Sequence, residues 1–350
     1  MEFVYNTLPS RVIFGIGARH RVADELDRLG ITRAIVLSTP DQSLLAGEFA
    51  RMIGHRVAIV YPGAAQHTPV AVTESALQAV HSVNADGCLS VGGGSTTGLS
   101  KAIALRTDLP QLVVPTTFAG SEMTSILGET EHGRKTTQSS LKVMPETVIY
   151  DPELTVTMPT TIAGPSGMNA VAHAVEALYA ENRNPVTSMM AEESIRAFGR
   201  SLPRLVEAPH DLAAHTDALY GAWLAGCCLG TVGMAIHHKI CHTLGGTFDL
   251  PHADVHAVMI PYTAAYNREA ASEAMGRIAA ALGGSDGPGA LYDLMLRVAN
   301  KHSLKDLGMS QAGLDKAADL AVQNPYYNPR PIDRDSIRQM LGAAWEGRRP

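Results

Sequence analysis

The segment "CLSVGGGSTTGLSKAIAL" (residues 88–105) decides the fold. It opens as a short apolar run, passes through three consecutive glycines and continues as a helix that the pattern starts near Ser95 to Thr97. Glycines at a strand-to-helix turn let the backbone approach a diphosphate, and the first N–H groups of the helix bind the anion. The spacing is not G-x-G-x-x-G, so the common dinucleotide fingerprint is absent, and a GGGS turn alone also serves as a plain tight turn. A second small-polar turn, "PTTFAGSEMTS" (115–125), follows another apolar run and should lie at the same sheet edge. Two such turns at the carboxyl ends of parallel strands predict a nucleotide crevice. Its candidate contacts are Gly93, Gly94, Ser95 and Thr96 from the first turn and Thr116, Thr117 and Ser125 from the second. Ser38 joins them at the end of "TRAIVLST" (32–39).

Working outward, short β-branched runs alternate with helical patterns: "TRAIVLST", "HRVAIVY" (55–61), the segment above, "PQLVVPTT" (110–117) and "ETVIYDP" (146–152). That alternation predicts a parallel sheet with crossover helices. After "DPELTVTMP" (151–159) the strand signals stop, and Ala-, Leu- and Met-rich segments of 3.6-residue period follow. The expected architecture is an N-terminal α/β nucleotide-binding domain over residues 1–155 and an all-helical catalytic domain over 156–350. A cleft between two such domains is the usual place for a small-molecule site.

Composition narrows the function classes. The 350 residues are 45% apolar, enough for a large core, and the net charge of −6 has no basic run behind it, so nucleic acid is not an expected partner. No run of eighteen apolar residues occurs, and "MEFVYNTLPSRVIFG" lacks the regions of a secretory signal, so the expectation is a cytoplasmic enzyme with no membrane partner. Cys88, Cys227, Cys228 and Cys241 form no C-x-x-C pair and read as buried free thiols.

The chemistry concentrates in "HHKICHTLGGTFDLPH" (237–252). A helix running from about Gly221 to a break at Gly245 and Gly246 would carry His238 and His242 on one face at i, i+4, with His237 turned away as a bystander. His252 follows Pro251 and can fold back toward that helix. Upstream, "GMNAVAHAVEALYA" (167–180) places Asn169 and His173 at i, i+4 on a second helix. If the two helices face each other, Asn169, His173, His238, His242 and His252 converge. A lone histidine is usually structural; two i, i+4 pairs with a fifth member favour a site.

In order, "GGGS", "PTT…GSEMT", "DPELTVTMP", "GMNAVAHAVEA" and "HHKICHTLGGTFDLPH" resemble the iron-containing alcohol dehydrogenase family across nearly the whole chain. The resemblance implies an N-terminal nucleotide-binding domain, a helical C-terminal domain, a nicotinamide cofactor and a homodimer. Within the family it runs to the branch that reduces the carbon–carbon double bond of 2-maleylacetate, a dicarboxylate, to 3-oxoadipate in the breakdown of aromatic compounds. It places the family's metal aspartate on Asn169, its metal histidines on His173, His238 and His252, and a further active-site histidine on His242. Asparagine offers a dication a neutral carbonyl instead of a carboxylate, so the expectation is that no metal is required; an ion, if held, would sit on His173, His238 and His252, since three histidines can hold zinc. Gly98 is a second departure, where many members carry the aspartate of GGGSxxD.

Charge logic agrees with that implication. Hydride addition to an enone builds charge on the ketone oxygen, and hydrogen bonding or proton delivery by His173, His238, His242 and His252 would meet it. Lys239 and Lys142 are candidate partners of the substrate carboxylates, and Lys135 matches a family lysine associated with the nucleotide. Ser38 and Thr39 stand where NAD-selective enzymes often carry an acid, so NADH is the expected cofactor with NADPH tolerated. The competing readings are a metal-dependent alcohol or polyol dehydrogenase, a lyase resembling dehydroquinate synthase, and a non-catalytic nucleotide-binding sensor.

Overall fold

The computed structural model describes residues 2–350, with the side chains of Arg134 and Lys135 outside the described set. The chain forms two compact units, residues Thr7–Thr157 and residues 158–350 together with 2–6.

The first unit contains β1 (Arg11–Phe14), α1 (Val22–Arg28), β2 (Ala34–Leu37), α2 (Ser43–Ile53), β3 (Val57–Tyr61), α3 (Val70–Ser82), β4 (Gly87–Gly92), α4 (Gly94–Thr107), β5 (Gln111–Pro115), β6 (Ile126–Glu131), β7 (Arg134–Ser139) and β8 (Thr147–Tyr150). Six strands form one parallel sheet in the order β1-β8-β5-β4-β2-β3. The strands β2, β4, β5 and β8 are buried along their whole length, whereas β3 at one edge is half-buried throughout. This follows from helices covering both faces, which makes interior strands continuous apolar runs without alternation. On one face Ala34, Val36, Leu89 and Val91 pack with Leu26 of α1 and Phe49 of α2. On the other, Ile35, Leu37 and Cys88 pack with Ala76 and Val80 of α3 and Leu99 and Ile103 of α4.

The chain leaves β2 toward one edge and β4 toward the other, so the strand order reverses between these neighbours. Ligands of open parallel sheets bind at such a switch point, outside the carboxyl ends of the strands. Two elements lie outside the sequence reading: β1, a short edge strand, and the antiparallel β6–β7 hairpin, paired from Ile126↔Ser139 to Glu131↔Arg134.

The second unit is helical: α5 (Thr160–Ala177), α6 (Pro185–Glu207), α7 (Leu212–Thr231), α8 (Ile236–Phe248), α9 (His252–Tyr266), α10 (Ser272–Ala281), α11 (Gly287–Val298), α12 (Gly313–Ala321) and α13 (Arg334–Glu346). Here the structure corrects two boundaries. The helix expected from Gly221 ends at Thr231, and a separate α8 starts at Ile236 and runs through Gly245 and Gly246 to Phe248. Among the described residues no single helix is long and apolar enough to cross a membrane. Cys88, Cys228 and Cys241 are buried free thiols, and Cys227 is half-buried.

A buried carboxylate ties α1 to the sheet. Glu25 accepts from Arg28 Nε at 2.6 Å and Arg11 Nε at 3.1 Å. Burial pushes this carboxyl up, but the hydrogen bonds from Arg28 and Arg11 outweigh burial and hold it below its ordinary 4.5. A depressed folded-state value means the stabilisation is complete above the unfolded value and is lost as pH falls through the lower folded one. Because both arginines are about half exposed, Glu25→Gln should cost only about 1–2 kcal/mol at pH 7. Thermal unfolding followed from pH 7 to about pH 3 should show the gap between wild type and variant closing below pH 4.5.

Candidate functional site

The nucleotide side is built from the turns after β2, β4 and β5. Gly92 has φ +152°, and a Cβ there would lie 2.4 Å from Thr96 Oγ1. The chain turns through Gly92 and Gly93 into α4, whose N-cap, Gly93, provides no side-chain cap. A Cβ on Gly93 would meet Thr117 at 2.9 Å, so the two turns pack against each other. Thr116 N–H donates to the Gly92 carbonyl at 3.1 Å, and Thr116 Oγ1 accepts from Gln42 Nε2 at 2.8 Å. Ser38 Oγ and Thr96 Oγ1 are buried without a hydrogen-bond partner, one at the end of β2 and one in the first turn of α4. Unpaired buried hydroxyls and an uncapped helix N-terminus at the switch point are donors suited to the ribose and diphosphate of a dinucleotide.

Gly98 has a steric reason. A Cβ there would meet Thr68 Oγ1 at 2.3 Å, because Thr68, at φ 46°, leans into the first turns of α4. An aspartate has no room at this position unless that loop moves.

The second turn has an anchor that the sequence did not reveal. Lys101 of α4 is buried, which pulls its pKa down to about 7, and its Nζ lies 2.6–2.9 Å from the carbonyls of Ser121, Thr124 and Ile126 and from Thr124 Oγ1. Nearby, the Tyr150 hydroxyl donates to buried Glu122 at 2.8 Å. Ser125 Oγ lies 3.1 Å from Ser139 Oγ at the foot of the hairpin. Lys142 ion-pairs with Asp108 at 3.4 Å on the exposed surface of this unit. The Lys135 side chain lies outside the described residues.

The helical unit holds the imidazoles. On α5, Asn169, His173 and Glu176 fall at i, i+4 and i+7 and share one buried face. Glu176 Oε2 accepts from His238 Nδ1 at 2.6 Å and from Ala235 N–H at 2.9 Å, and Oε1 accepts from His237 N–H at 2.7 Å. Ala235 is the N-cap of α8 and has no side-chain oxygen to offer, so Glu176, from a helix distant in sequence, caps α8 in its place. The same carboxylate holds a proton on His238 Nδ1 and turns Nε2 toward the cluster. That atom is buried and without a partner.

A second chain of bonds runs beside it. Thr263 Oγ1 lies 3.1 Å from the Met259 carbonyl, to which it donates, and 3.0 Å from His237 Nδ1. His237 Nε2 is 2.9 Å from His256 Nδ1. With the Thr263 proton on Met259, His237 carries its proton on Nδ1 and accepts from His256 Nδ1–H, which leaves His256 Nε2 as an unpartnered lone pair. The bystander reading of His237 is therefore corrected: it is fully buried and orients His256.

Ring centroids separate His173 and His238 by 5.1 Å, His238 and His256 by 4.9 Å, His252 and His256 by 4.4 Å, His238 and His242 by 6.0 Å and His242 and His252 by 6.3 Å. The structure thus brings His173, His238, His242 and His252 into one cluster, with Asn169 one turn from His173. Burial first, then the neighbouring imidazoles, holds His173, His237 and His256 well below the usual histidine range, so all three are neutral at pH 7. His242 is exposed and His252 half-buried. His242 and His252 are thus the members of the cluster that reach solvent, whereas His173 and His238 are buried. Lys239 is half-buried on α8.

Among the described residues, His237, Cys241 and His256 offer ligand atoms within 4.8 Å of one another. That set is not a metal centre in chemical terms. The two histidines are bonded to each other, and burial keeps the Cys241 thiol far above its ordinary value and so protonated. Glu176 and His256 escaped the sequence reading, although His256 lies i+4 from His252 and Glu176 i+7 from Asn169.

Comparison with known proteins agrees across the chain. Residues 9–152 match the family described as iron-containing alcohol dehydrogenase, and residues 163–345 match its C-terminal family. The chain is 53% identical over 348 residues to a maleylacetate reductase of Rhizobium sp. (strain MTP-10005), covering 99% of each. It is 52% identical over 350 residues to a maleylacetate reductase of Sphingobium indicum, covering 100% of this chain and 99% of the relative. A crystal structure of maleylacetate reductase from Agrobacterium tumefaciens, 52% identical, superposes with a TM-score of 0.97 and full coverage of both chains. From the switch-point turns, the buried imidazole cluster and these matches, the chain belongs to the iron-containing alcohol dehydrogenase family.

Proposed function

We propose that this enzyme reduces the carbon–carbon double bond of 2-maleylacetate to 3-oxoadipate with NADH, and tolerates NADPH. The observation that carries the reading is whole-chain similarity, at 53% and 52% identity, to proteins named maleylacetate reductase. The donor inventory supports it. The Ser38 and Thr96 hydroxyls and the N-terminus of α4 suit a dinucleotide, and the absence of an acid at Ser38 and Thr39 leaves room for a 2′-phosphate.

The bound nicotinamide supplies hydride to the carbon β to the substrate ketone. The chain's own residues then manage the charge that develops on the ketone oxygen. His242 and His252, the solvent-reachable members of the cluster, donate N–H hydrogen bonds to that oxygen and deliver the proton. His238 and His256 keep protons on the nitrogens that face Glu176 and His237, and so turn Nε2 toward the interior of the cluster. Lys239 is the proposed partner of a substrate carboxylate.

The family implies a metal, and its positions fall here on Asn169, His173, His238 and His252. Asn169 Oδ1, His173 Nδ1 and His238 Nε2 are buried and unpartnered, so donors are present. Asn169 supplies a neutral carbonyl where the family places a carboxylate, so a dication would gain less charge compensation from the chain, while Glu176 behind His238 is the outer-shell carboxylate that a histidine ligand ordinarily has. No step is assigned to a metal.

Two measurements test this reading. Adding maleylacetate to purified protein and NADH should deplete absorbance at about 340 nm at equal rates with and without EDTA; turnover abolished by chelation and restored by iron or zinc would contradict the proposal. His242→Ala and His252→Ala should each lower kcat by roughly 100- to 10,000-fold, with NADH affinity unchanged by fluorescence titration, since those side chains hold no part of the nucleotide.

A further inference from the structure

The segment between α12 and α13 carries a tyrosine that neither the sequence reading nor the mechanism uses. It has no regular secondary structure from about residue 325 to 333, yet several bonds pin it to the C-terminal end of α9. Asn328 and Asn267 exchange paired amide hydrogen bonds: Asn328 Nδ2 donates at 2.7 Å and Asn267 Nδ2 donates at 2.9 Å. The Tyr266 hydroxyl donates to the Pro331 carbonyl at 2.7 Å. Arg330 donates to the Tyr266 carbonyl at 3.2 Å and lies 4.1 Å over the Tyr266 ring. These bonds restrain the irregular segment at Asn328, Arg330 and Pro331, close in sequence to Tyr326.

What it presents is Tyr326. The phenol oxygen lies 3.3 Å from His242 Nδ1, and the two rings meet edge to face at 6.4 Å. Burial, then the field of Glu176, pushes the Tyr326 hydroxyl above its ordinary range, so it keeps its proton. A hydroxyl both donates and accepts, so it grips Nδ1 whichever way the shared proton lies. His242 is exposed on α8, and its ring also lies beside those of His238 and His252.

We propose that Tyr326 is the positioning residue for His242: it holds Nδ1 and thereby makes Nε2 the nitrogen that acts on the substrate oxygen. This rests on the role given to His242 above. Tyr326 acts through that imidazole, so it is a positioning residue and not a catalytic one.

The test is a double-mutant cycle on the full-length enzyme with maleylacetate and NADH. Tyr326→Phe, which removes only the hydroxyl, should lower kcat roughly 10- to 100-fold, the scale of a misplaced catalytic group, while KM for NADH stays within about twofold. In the His242→Ala background the same change should cost nothing further, because its target is gone. Asn328→Ala, which unpins the segment, should lower kcat in the same direction. Equal losses in both backgrounds would show a merely structural role and overturn the proposal. Full turnover by Tyr326→Phe beside an impaired His242→Ala would overturn it while leaving the proposed function standing. Full turnover by His242→Ala would remove the role of His242 itself, and the positioning proposal with it.

Discussion

The carboxylate of Glu176 is the constraint on which the helical unit depends. It accepts two backbone N–H groups at the start of α8 and the side-chain Nδ1–H of His238, all from a fully buried position. Withdrawing it would leave those donors unpaired in the interior, where each costs about 1–3 kcal/mol. One interaction therefore does two things. It substitutes for the capping side chain that Ala235 lacks, and it decides which nitrogen of His238 faces the cluster.

The second relay, from Thr263 through His237 to His256, repeats the device without a charge. The outcome is a cluster in which His173, His237 and His256 are neutral, His238 is oriented by Glu176, and the outer members, His242 and His252, reach solvent. That gradient explains how the chain can be rich in histidine without being rich in protons. It also explains the tolerance of Asn169 where the family places a carboxylate: with a buried anion already on His238, a second one beside His173 would lie uncompensated in the interior unless a cation joined it. In the N-terminal unit the corresponding constraint is Lys101, whose buried Nζ holds the carbonyls of the turn after β5.

Much of this was legible in the sequence. Runs such as "AIVL" and "CLSV" are buried on both faces of the sheet, which is why they read as unbroken apolar strands, and the glycine turn reads correctly because Gly92 has a backbone conformation few other residues adopt. The pairs Asn169/His173 and His238/His242 follow from helical spacing alone. The rest depends on partners far apart in the chain. Glu176 is an ordinary helix former until α8 closes over it, and His237 gains its role from Thr263 and His256 on α9. The break between α7 and α8 was missed because "TVGMAIHH" keeps an apolar pattern across it; the structure breaks there because α8 begins where Glu176 can cap it.

The most direct measurement is nitrogen-15 NMR of histidine-labelled protein at neutral pH, which reports the protonation of each ring nitrogen. The account predicts a protonated Nδ1 on both His238 and His256, and a neutral His256 with unprotonated Nε2. A His238 ring protonated on Nε2 alone, or a charged His173, His237 or His256, would contradict it.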